Sequence, residues 1–186
     1  WVGTYKNPNT TTTKVVIDKS FDDFYPTSTA YWFLYFKQLN TIEGLQYLNT
    51  TEVTDMSGMF TDCAALTSLD LSKFNTSNVT NMRVMFAYCS RLTNLDLKNF
   101  NTSNVKDMGY MFADCSALTS LDLKSFNTSN VTKMYKMFQG CSALTSLDLS
   151  NFNTEKVTDM DRMFYGCSAL TSIDLKNFNT EKVTFI

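Results

Sequence analysis

Two kinds of side chain that are capable of chemistry recur at a constant interval along the chain. Each cysteine lies 26 residues after the previous one: Cys63, Cys89, Cys115, Cys141 and Cys167. An aspartate repeats at the same interval: Asp70, Asp96, Asp122, Asp148 and Asp174. Thiols brought together in space form disulfides or bind metal ions, whereas closely spaced carboxylates bind cations or hydrolyse glycosidic bonds. Which of these applies depends on how the chain brings the copies together.

The cysteines form one column if successive copies lie directly on top of one another. Neighbouring Cα atoms about 5 Å apart lie within disulfide range, but the odd number of thiols always leaves one unpaired. Each cysteine also occupies the last apolar position of its copy, where it packs as a small apolar side chain. We therefore expect a structural ladder of buried free thiols, with disulfide rungs or a metal as the alternatives. Because the sequence contains no histidine and no C-x-x-C motif, we predict no metal and no cofactor.

The aspartates form a second column that faces outward, because each lies between two apolar residues such as Leu95 and Leu97. Carboxylates about 5 Å apart repel and raise one another's pKa. Neighbouring serine hydroxyls, lysine ammonium groups such as that of Lys98, or a bound cation are the alternatives for offsetting this repulsion. A glycosidase needs two carboxyl groups in different environments, so repetition in every copy favours a structural aspartate ladder on the face of a sheet.

Composition argues against several classes of function. The absence of histidine removes the commonest general base and metal ligand. The chain also lacks a G-x-S-x-G motif and a phosphate-binding glycine loop. A net charge of −2 without a basic cluster gives no footprint for nucleic acid, and no apolar stretch reaches the length of a membrane span. We therefore predict no enzyme, no nucleic-acid partner and no direct membrane insertion.

A period of 26 residues indicates that each copy is one supersecondary unit that buries its apolar face against its neighbours. Within a copy, residues 95–97 alternate as a half-buried strand does. Turn formers follow at 100–104, and their Asn and Thr side chains are expected to bond turn backbone or cap a helix. Apolar residues then recur on one face of a short helical or 3₁₀ segment: Val105, Met108, Met111, Phe112 and Cys115. Strands from successive coils are expected to form a parallel sheet with a spacing of about 4.8 Å.

We interpret the chain as one continuous solenoid with three regions. Residues 1–38 form an N-terminal cap, residues 39–62 a degenerate first repeat, and residues 63–186 five repeats, the last truncated as in a fragment of a longer protein. In the cap, residues 15–17 are predicted to form a strand, and Ser20 to begin a helix that ends before Pro26. Aromatic residues are expected to cover the open end of the first coil: Phe21, Phe24, Tyr25, Tyr31, Trp32, Phe33, Tyr35 and Phe36.

The full repeat pattern reads L-T-x-L-D-L-x-x-F-N-T-x-x-V-x-x-M-x-x-M-F-x-x-C and covers residues 49–186. It resembles the 26-residue repeat of BspA-family leucine-rich-repeat bacterial surface proteins, a type also called the DUF285 or Listeria lipoprotein repeat. The resemblance implies an α/β solenoid: a leucine-rich-repeat-like, right-handed stack of strand–turn–short-helix coils with a parallel sheet and an N-terminal aromatic cap. It also implies a bacterial protein that is secreted or lies on the cell surface, where some members act as adhesins. The family offers no catalytic residues.

Residues that differ between copies mark the surface that is free to acquire a function. On the outer side of the predicted helical segment they include side chains typical of interface hot spots: Arg83, Tyr88, Tyr110, Tyr135, Arg162 and Tyr165. We predict a non-catalytic module that binds a protein of the host extracellular matrix or of another cell surface, with the sheet face as the rival surface. The alternatives are a structural spacer or coat element without its own ligand, and a glycan-binding module. An open last coil would also permit weak end-to-end self-association.

Overall fold

The computed structural model describes residues 7–186, so the first six residues of the predicted cap lie outside the described part. Strand β1 (Lys14–Val16) pairs in parallel with strand β2 (Thr41–Glu43), and it overlaps the strand predicted at 15–17. Short 3₁₀ helices span Lys19–Asp23 and Leu45–Tyr47. The first begins one residue earlier than predicted, because the carboxylate of Asp18, and not the side chain of Ser20, caps it by accepting from the Ser20 N–H at 2.9 Å.

The chain is a repeat solenoid in which residues one period apart are neighbours. A column of parallel bridges runs through the whole stack at intervals of 26 or 27 residues: Ser28, Asp55, Asn81, Asp107, Lys133, Asp159 and Phe185. Each coil therefore rests on the equivalent segment of the coil before it. This is the arrangement expected when a unit has too little apolar surface to fold alone.

The prediction of a short helix in each coil is wrong, because this segment consists of consecutive turns. The Met56 N–H donates to the carbonyl of Asn81 in the next coil at 3.0 Å, and the Phe60 N–H to that of Met85 at 2.9 Å. Between them, the Met59 N–H donates within its own coil to the Met56 carbonyl at 3.3 Å. In this segment, N–H groups that donate to the next coil thus alternate with N–H groups that donate within their own coil. The apolar spacing does not distinguish the two structures, since side chains three and four positions apart share a face in both.

Two residues in each coil adopt the left-handed backbone conformation, four positions apart. The first left-handed row contains Tyr31, Gly58, Val84, Tyr110, Lys136 and Arg162. The second left-handed row contains Tyr35, Asp62, Tyr88, Asp114, Gly140 and Gly166. This conformation costs an L-residue other than glycine about 1–2 kcal/mol. It is nevertheless a constant feature of the coil, and at most of these positions a side chain is present.

The parallel sheet predicted across the leucine-rich segments is also wrong. Residues 48–186 contain no helix and no extended strand, only isolated bridges. Threonine side chains join the coils instead: the Thr102 hydroxyl donates to the Asn127 carbonyl at 2.9 Å and accepts from the Asn127 N–H at 2.8 Å. The same pair of bonds is made by Thr50, Thr76, Thr128 and Thr154. The turn side chains thus bond backbone as expected: the threonines bond that of the next coil, whereas an asparagine such as Asn101 accepts from the N–H of Ser103 in its own turn at 3.0 Å.

Replacing Thr102 by valine should lower the free energy of unfolding by about 2 kcal/mol. Thr102 is 0% exposed, and valine has nearly the same shape but leaves the N–H and carbonyl of Asn127 without their partner. Urea denaturation followed by circular dichroism measures the change. Thr102→Ser, which keeps the hydroxyl, and Thr180→Val, at an exposed position, are the controls. A loss as large in either control would contradict the role given to this hydroxyl.

Phenylalanine rings form a column at the centre of the core. Their centroids are 5.4–5.9 Å apart and their planes lie within 11° of parallel: Phe33, Phe60, Phe86, Phe112, Phe138 and Phe164. Phe33 comes from the segment interpreted as a cap, and Phe36 beside it is also buried. Residues 28–36 therefore follow the geometry of a coil, whereas Phe24 and Tyr25 remain exposed at its margin.

Candidate functional site

The thiols lie in one column and serve as hydrogen-bond donors inside the core. The Sγ of Cys89 donates to the Phe60 carbonyl of the preceding coil at 3.2 Å, and the same oxygen accepts from the Cys63 N–H at 3.1 Å. Four of the five cysteines are buried and Cys167 is half-buried. Burial raises the pKa of Cys89 and of Cys141 to about 12. These thiols are therefore protonated at neutral pH, and a protonated thiol is a poor nucleophile and metal ligand.

The aspartate column caps local turns. The Asp96 carboxylate accepts from the Lys98 N–H at 3.0 Å, and the other four aspartates accept from the residue two positions on in the same way. Hydrogen bonds from these residues, through side chain and backbone, lower the pKa of Asp70, Asp96, Asp148 and Asp174. The expectation that mutual repulsion raises these pKa values is wrong, because donors two residues away outweigh a charge in the next coil.

Three of the predicted binding residues meet in one cluster. The rings of Tyr110 and Tyr135 are perpendicular with centroids 5.3 Å apart, and the Arg83 guanidinium carbon lies 6.0 Å from the Tyr135 centroid. The Lys136 ammonium lies 5.0 Å from the Tyr110 centroid and donates to its hydroxyl at 2.8 Å. Both tyrosines are half-buried. Their ring faces are thus already occupied by side chains of the chain itself.

The other three predicted residues are exposed, and Tyr88 lies within electrostatic range of Tyr110 and Lys136. Tyr88 is 44% exposed and Tyr165 is 68% exposed. Arg162 is exposed, with its Nε atom 3.9 Å from a carboxylate oxygen of Asp161. The structure therefore brings Arg83, Tyr110 and Tyr135 into direct contact and places Tyr88 within electrostatic range of Tyr110.

Tyr88 lines two neighbouring clefts. One, of about 400 Å³, is lined by Pro8, Tyr35, Lys37, Asp62 and Tyr88. The other, of about 340 Å³, is lined by Asp62, Ala64, Tyr88, Ser90, Asp114 and Ser116. Because the two clefts share Asp62 and Tyr88, they form one groove along the second left-handed row. We call the surface made by Tyr35, Asp62, Tyr88 and Asp114 the tyrosine–aspartate groove.

Charged groups of both signs surround Tyr88. The Lys37 ammonium lies 3.1 Å from a carboxylate oxygen of Asp62 at one end. Burial raises the pKa of Asp114, against a hydrogen bond from the Gln139 side chain that lowers it. Burial and then the charge of Asp114 raise the pKa of Tyr88. Asp114 and Tyr88 therefore interact electrostatically, and the charge of Lys136 opposes that of Asp114 at the Tyr88 hydroxyl.

Sequence reasoning found Tyr88 but missed Tyr35, Asp62 and Asp114. The signal was present, because all four occupy the same position of the period, at which the later coils carry Gly140 and Gly166. Glycine at an equivalent position indicates a left-handed backbone. The sequence does not show that the same left-handed conformation is adopted by the tyrosines and aspartates of this row, so it does not predict that the four residues form one surface.

A larger cleft lies at the last coil, but it is a weaker candidate for a binding site. Its volume is about 650 Å³, and it is lined by residues 152–155 and 176–181. Most of these residues belong to the turns that bond one coil to the next, such as Asn179, whose N–H and carbonyl both bond Thr154. No helix within residues 7–186 combines the length and apolar composition that crossing a membrane requires.

Comparison with known proteins places the chain in a family. The family model described as "Mycoplasma protein of unknown function, DUF285" matches residues 27–144 and 116–186. No curated protein matches the chain. The crystal structure of a leucine-rich repeat protein from Eubacterium ventriosum is similar, with 20% identity and a TM-score of 0.54 over 92% of this chain and 47% of that one. This chain thus spans about half the length of that protein.

Two further solved structures are more distant. A leucine-rich cell surface protein from Faecalibacterium prausnitzii has 16% identity and a TM-score of 0.38, over 84% of this chain and 58% of that one. A leucine-rich repeat protein from Bacteroides ovatus has 16% identity and a TM-score of 0.31, over 85% of this chain and 53% of that one. The family match covers most of the coils described above. The chain belongs to the DUF285 family, and its fold is a repeat solenoid similar to that of leucine-rich-repeat proteins.

Proposed function

We propose that the chain is a non-catalytic module of a bacterial surface or secreted protein, and that it binds a partner protein along its stack of coils. The observation that carries this proposal is the second left-handed row. Gly140 and Gly166 show that glycine is compatible with this position, yet Tyr35, Asp62, Tyr88 and Asp114 occupy it elsewhere. Residues other than glycine in this conformation cluster at functional sites, which supports a role for these side chains.

The composition of this row supports protein binding. Tyrosine provides a large contact area at a small cost in side-chain entropy, and it is enriched among the residues that dominate binding energy. Tyr88 is exposed in the middle of the row, and the groove extends on both sides of it. A solenoid presents such a row as an extended surface, which suits a protein ligand.

The remaining conspicuous residues have structural roles, which supports a non-catalytic function. The aspartates between the leucines accept backbone hydrogen bonds in turns, and the thiols of Cys89 and Cys141 have a pKa of about 12. General acid–base catalysis needs groups whose pKa lies near the working pH. The groups in these two columns do not meet that requirement.

A structural spacer is the second candidate function. It is favoured by the uniform bonding between coils, in which threonine pairs and stacked rings continue from one end to the other. Such a stack is suited to holding another domain away from a surface. The spacer function does not explain the tyrosines and aspartates in the left-handed conformation, so we favour protein binding over it.

The test is a binding panel of purified extracellular matrix and bacterial surface proteins, measured by biolayer interferometry. The chain should bind at least one of them, and Tyr88→Ser should weaken that binding by about tenfold or more without changing the melting temperature. Tyr165→Ser, which removes a tyrosine outside the groove, is the matched control. Binding to no protein of the panel would favour the spacer, and unchanged affinity of Tyr88→Ser would reject this surface.

A further inference from the structure

We infer that the cluster formed by Arg83, Tyr110, Tyr135 and Lys136, called here the cation–tyrosine cluster, binds carboxylate side chains of an acidic segment of the partner protein. This inference rests on the proposed function and names the chemistry of the ligand. The cluster contains the two cation–ring contacts of residues 7–186, and these lie side by side because the two rings pack on each other. It adjoins the tyrosine–aspartate groove, since the charge of Lys136 acts on the Tyr88 hydroxyl.

The two cations of the cluster are held in place before any ligand binds. Lys136 is half-buried, and its ammonium donates to the Tyr110 hydroxyl at 2.8 Å and lies 5.0 Å from the centroid of that ring. The Arg83 guanidinium carbon lies 6.0 Å from the Tyr135 centroid. Immobilising a long side chain at an interface costs conformational entropy. Because the rings already restrict these two side chains, a ligand that binds them loses less affinity to this term.

Both cations retain hydrogen-bond donors for a ligand. Within the described residues, neither Arg83 nor Lys136 has a carboxylate oxygen within 4.0 Å, whereas Lys37 and Lys98 each have one. An ammonium carries three N–H donors and a guanidinium five, and Tyr110 accepts from only one of those of Lys136. A carboxylate forms charge-assisted hydrogen bonds with such donors, and these are stronger than bonds between neutral groups.

Neighbouring carboxylates favour an acidic protein segment over a densely charged polyanion. The charge of Asp107 acts on the Tyr135 hydroxyl, and that of Asp114 acts on the Tyr88 hydroxyl. Asp107 is fixed in its turn, because its carboxylate accepts from the Gly109 N–H at 2.8 Å. A nucleic acid or a sulfated glycan carries a charge on nearly every unit, so it would meet these like charges. A protein segment can place single Asp or Glu side chains at the cations with neutral residues between them.

The cluster is a feature of three consecutive coils and not a requirement of the repeat. Arg83, Gly109 and Tyr135 occupy the same position of the period. A Cβ atom on Gly109 would lie 2.4 Å from a carbon of the Tyr135 ring, so glycine makes room for that ring between the two coils. The contact between Arg83 and Tyr135 therefore depends on a particular residue in the coil between them.

The experiment measures the binding of a fluorescein-labelled peptide of repeated Glu-Gly-Ser triplets by fluorescence anisotropy. The intact chain should bind this peptide and should not bind the matching Lys-Gly-Ser peptide. Arg83→Gln and Lys136→Gln should each weaken binding by about tenfold, because each removes a charged donor. Arg91→Gln and Lys124→Gln are the matched controls, since they remove the same charges from exposed side chains outside the cluster.

Gly109→Ala tests the geometry of the cluster without changing its charge. The backbone of Gly109 is not left-handed, so alanine fits it, but the added Cβ displaces the Tyr135 ring against which Arg83 lies. Binding of the acidic peptide should fall by about threefold, because Arg83 is then less restricted before binding. Unchanged binding would show that the ring does not position Arg83 and would overturn the cluster as the site.

Equal weakening by the cluster variants and their controls would show a general charge effect and overturn the inference, as would the absence of peptide binding. Tighter binding of heparin than of the peptide, lost in Arg83→Gln and Lys136→Gln, would overturn it in favour of a polyanion. The proposed function and this inference can fail separately. If a partner from the panel needs Tyr88 but tolerates Arg83→Gln and Lys136→Gln, the groove stands and the acidic ligand is wrong. If no protein of the panel binds but the acidic peptide does, through both cations, partner binding along the groove fails and the carboxylate site stands.

Discussion

Replacing Phe112 by alanine should lower the free energy of unfolding by about 3–5 kcal/mol, the range measured for large aromatic side chains in cores. The Phe112 ring is 0% exposed and lies 5.8 Å from the ring of Phe86 and 5.7 Å from that of Phe138. It also packs on Phe126 at 6.5 Å. Alanine leaves a void between two coils, and the rings above and below lose contacts that the fixed spacing of the stack prevents them from recovering.

Urea denaturation followed by circular dichroism measures this loss, with Phe164→Ala as the matched control. Phe164 belongs to the same column and stacks on Phe138 at 5.9 Å, but it is half-buried in the last full coil. We expect it to cost roughly half as much, because less surface returns to water on truncation. Equal losses at the two positions would show that burial within the column does not determine the contribution of each ring.

Gly44→Ala should lower the free energy of unfolding by about 3 kcal/mol, the sum of a left-handed conformation and a disturbed backbone hydrogen bond. Gly44 has a φ of +81°, and a Cβ atom there would lie 2.0 Å from the Ile17 carbonyl oxygen. The left-handed conformation accounts for about 1–2 kcal/mol. The rest arises because the backbone after β1 must move, which disturbs the bond from the Ile17 N–H to the Glu43 carbonyl at 2.9 Å. The pairing of β1 with β2 would be weakened, whereas the bonds from residues 29–35 to the next coil would remain.

Gly166→Ala is the control for this variant. Gly166 has a similar φ of +77°, but the nearest atoms to its added Cβ, in Gly140, lie at 3.5 Å, which is ordinary contact. Its substitution should cost only about 1–2 kcal/mol, the price of the conformation alone. The difference in thermal midpoint between the two variants reports the close approach at Ile17. Similar midpoints would show that the carbonyl of Ile17 moves away freely.

Much of the fold could be predicted, because the period and the columns follow from the repeat alone. A coil that buries one face against its neighbours must place apolar side chains at the same positions each time, as Met111, Phe112 and Cys115 do. The predictions of a short helix and of a parallel sheet were wrong for a common reason. Apolar spacing reports which side of the backbone is buried, but not whether its N–H groups bond within the coil or to the next one.

The candidate site was less accessible from the sequence. Tyr110 and Tyr135 look equivalent to Tyr88 in composition, yet their rings pack on each other and on Lys136 and Arg83. Which tyrosines remain free depends on residues one coil away, such as Gly109, whose missing side chain makes room for the Tyr135 ring. These contacts depend on stacking geometry and not on spacing along the chain.

The amino-acid sequence by itself determined that this protein is a stack of 26-residue coils with phenylalanine, methionine and cysteine inside. It did so because an exact repeat can bury its apolar face only against a copy of itself. Only the tertiary structure decided that the left-handed φ of Gly140 and Gly166 continues through the residues other than glycine in the same row, and thus where side chains such as Tyr88 and Asp114 point. That sign is set by the hydrogen bonds each coil makes to the next, which exist only once the coils have come together.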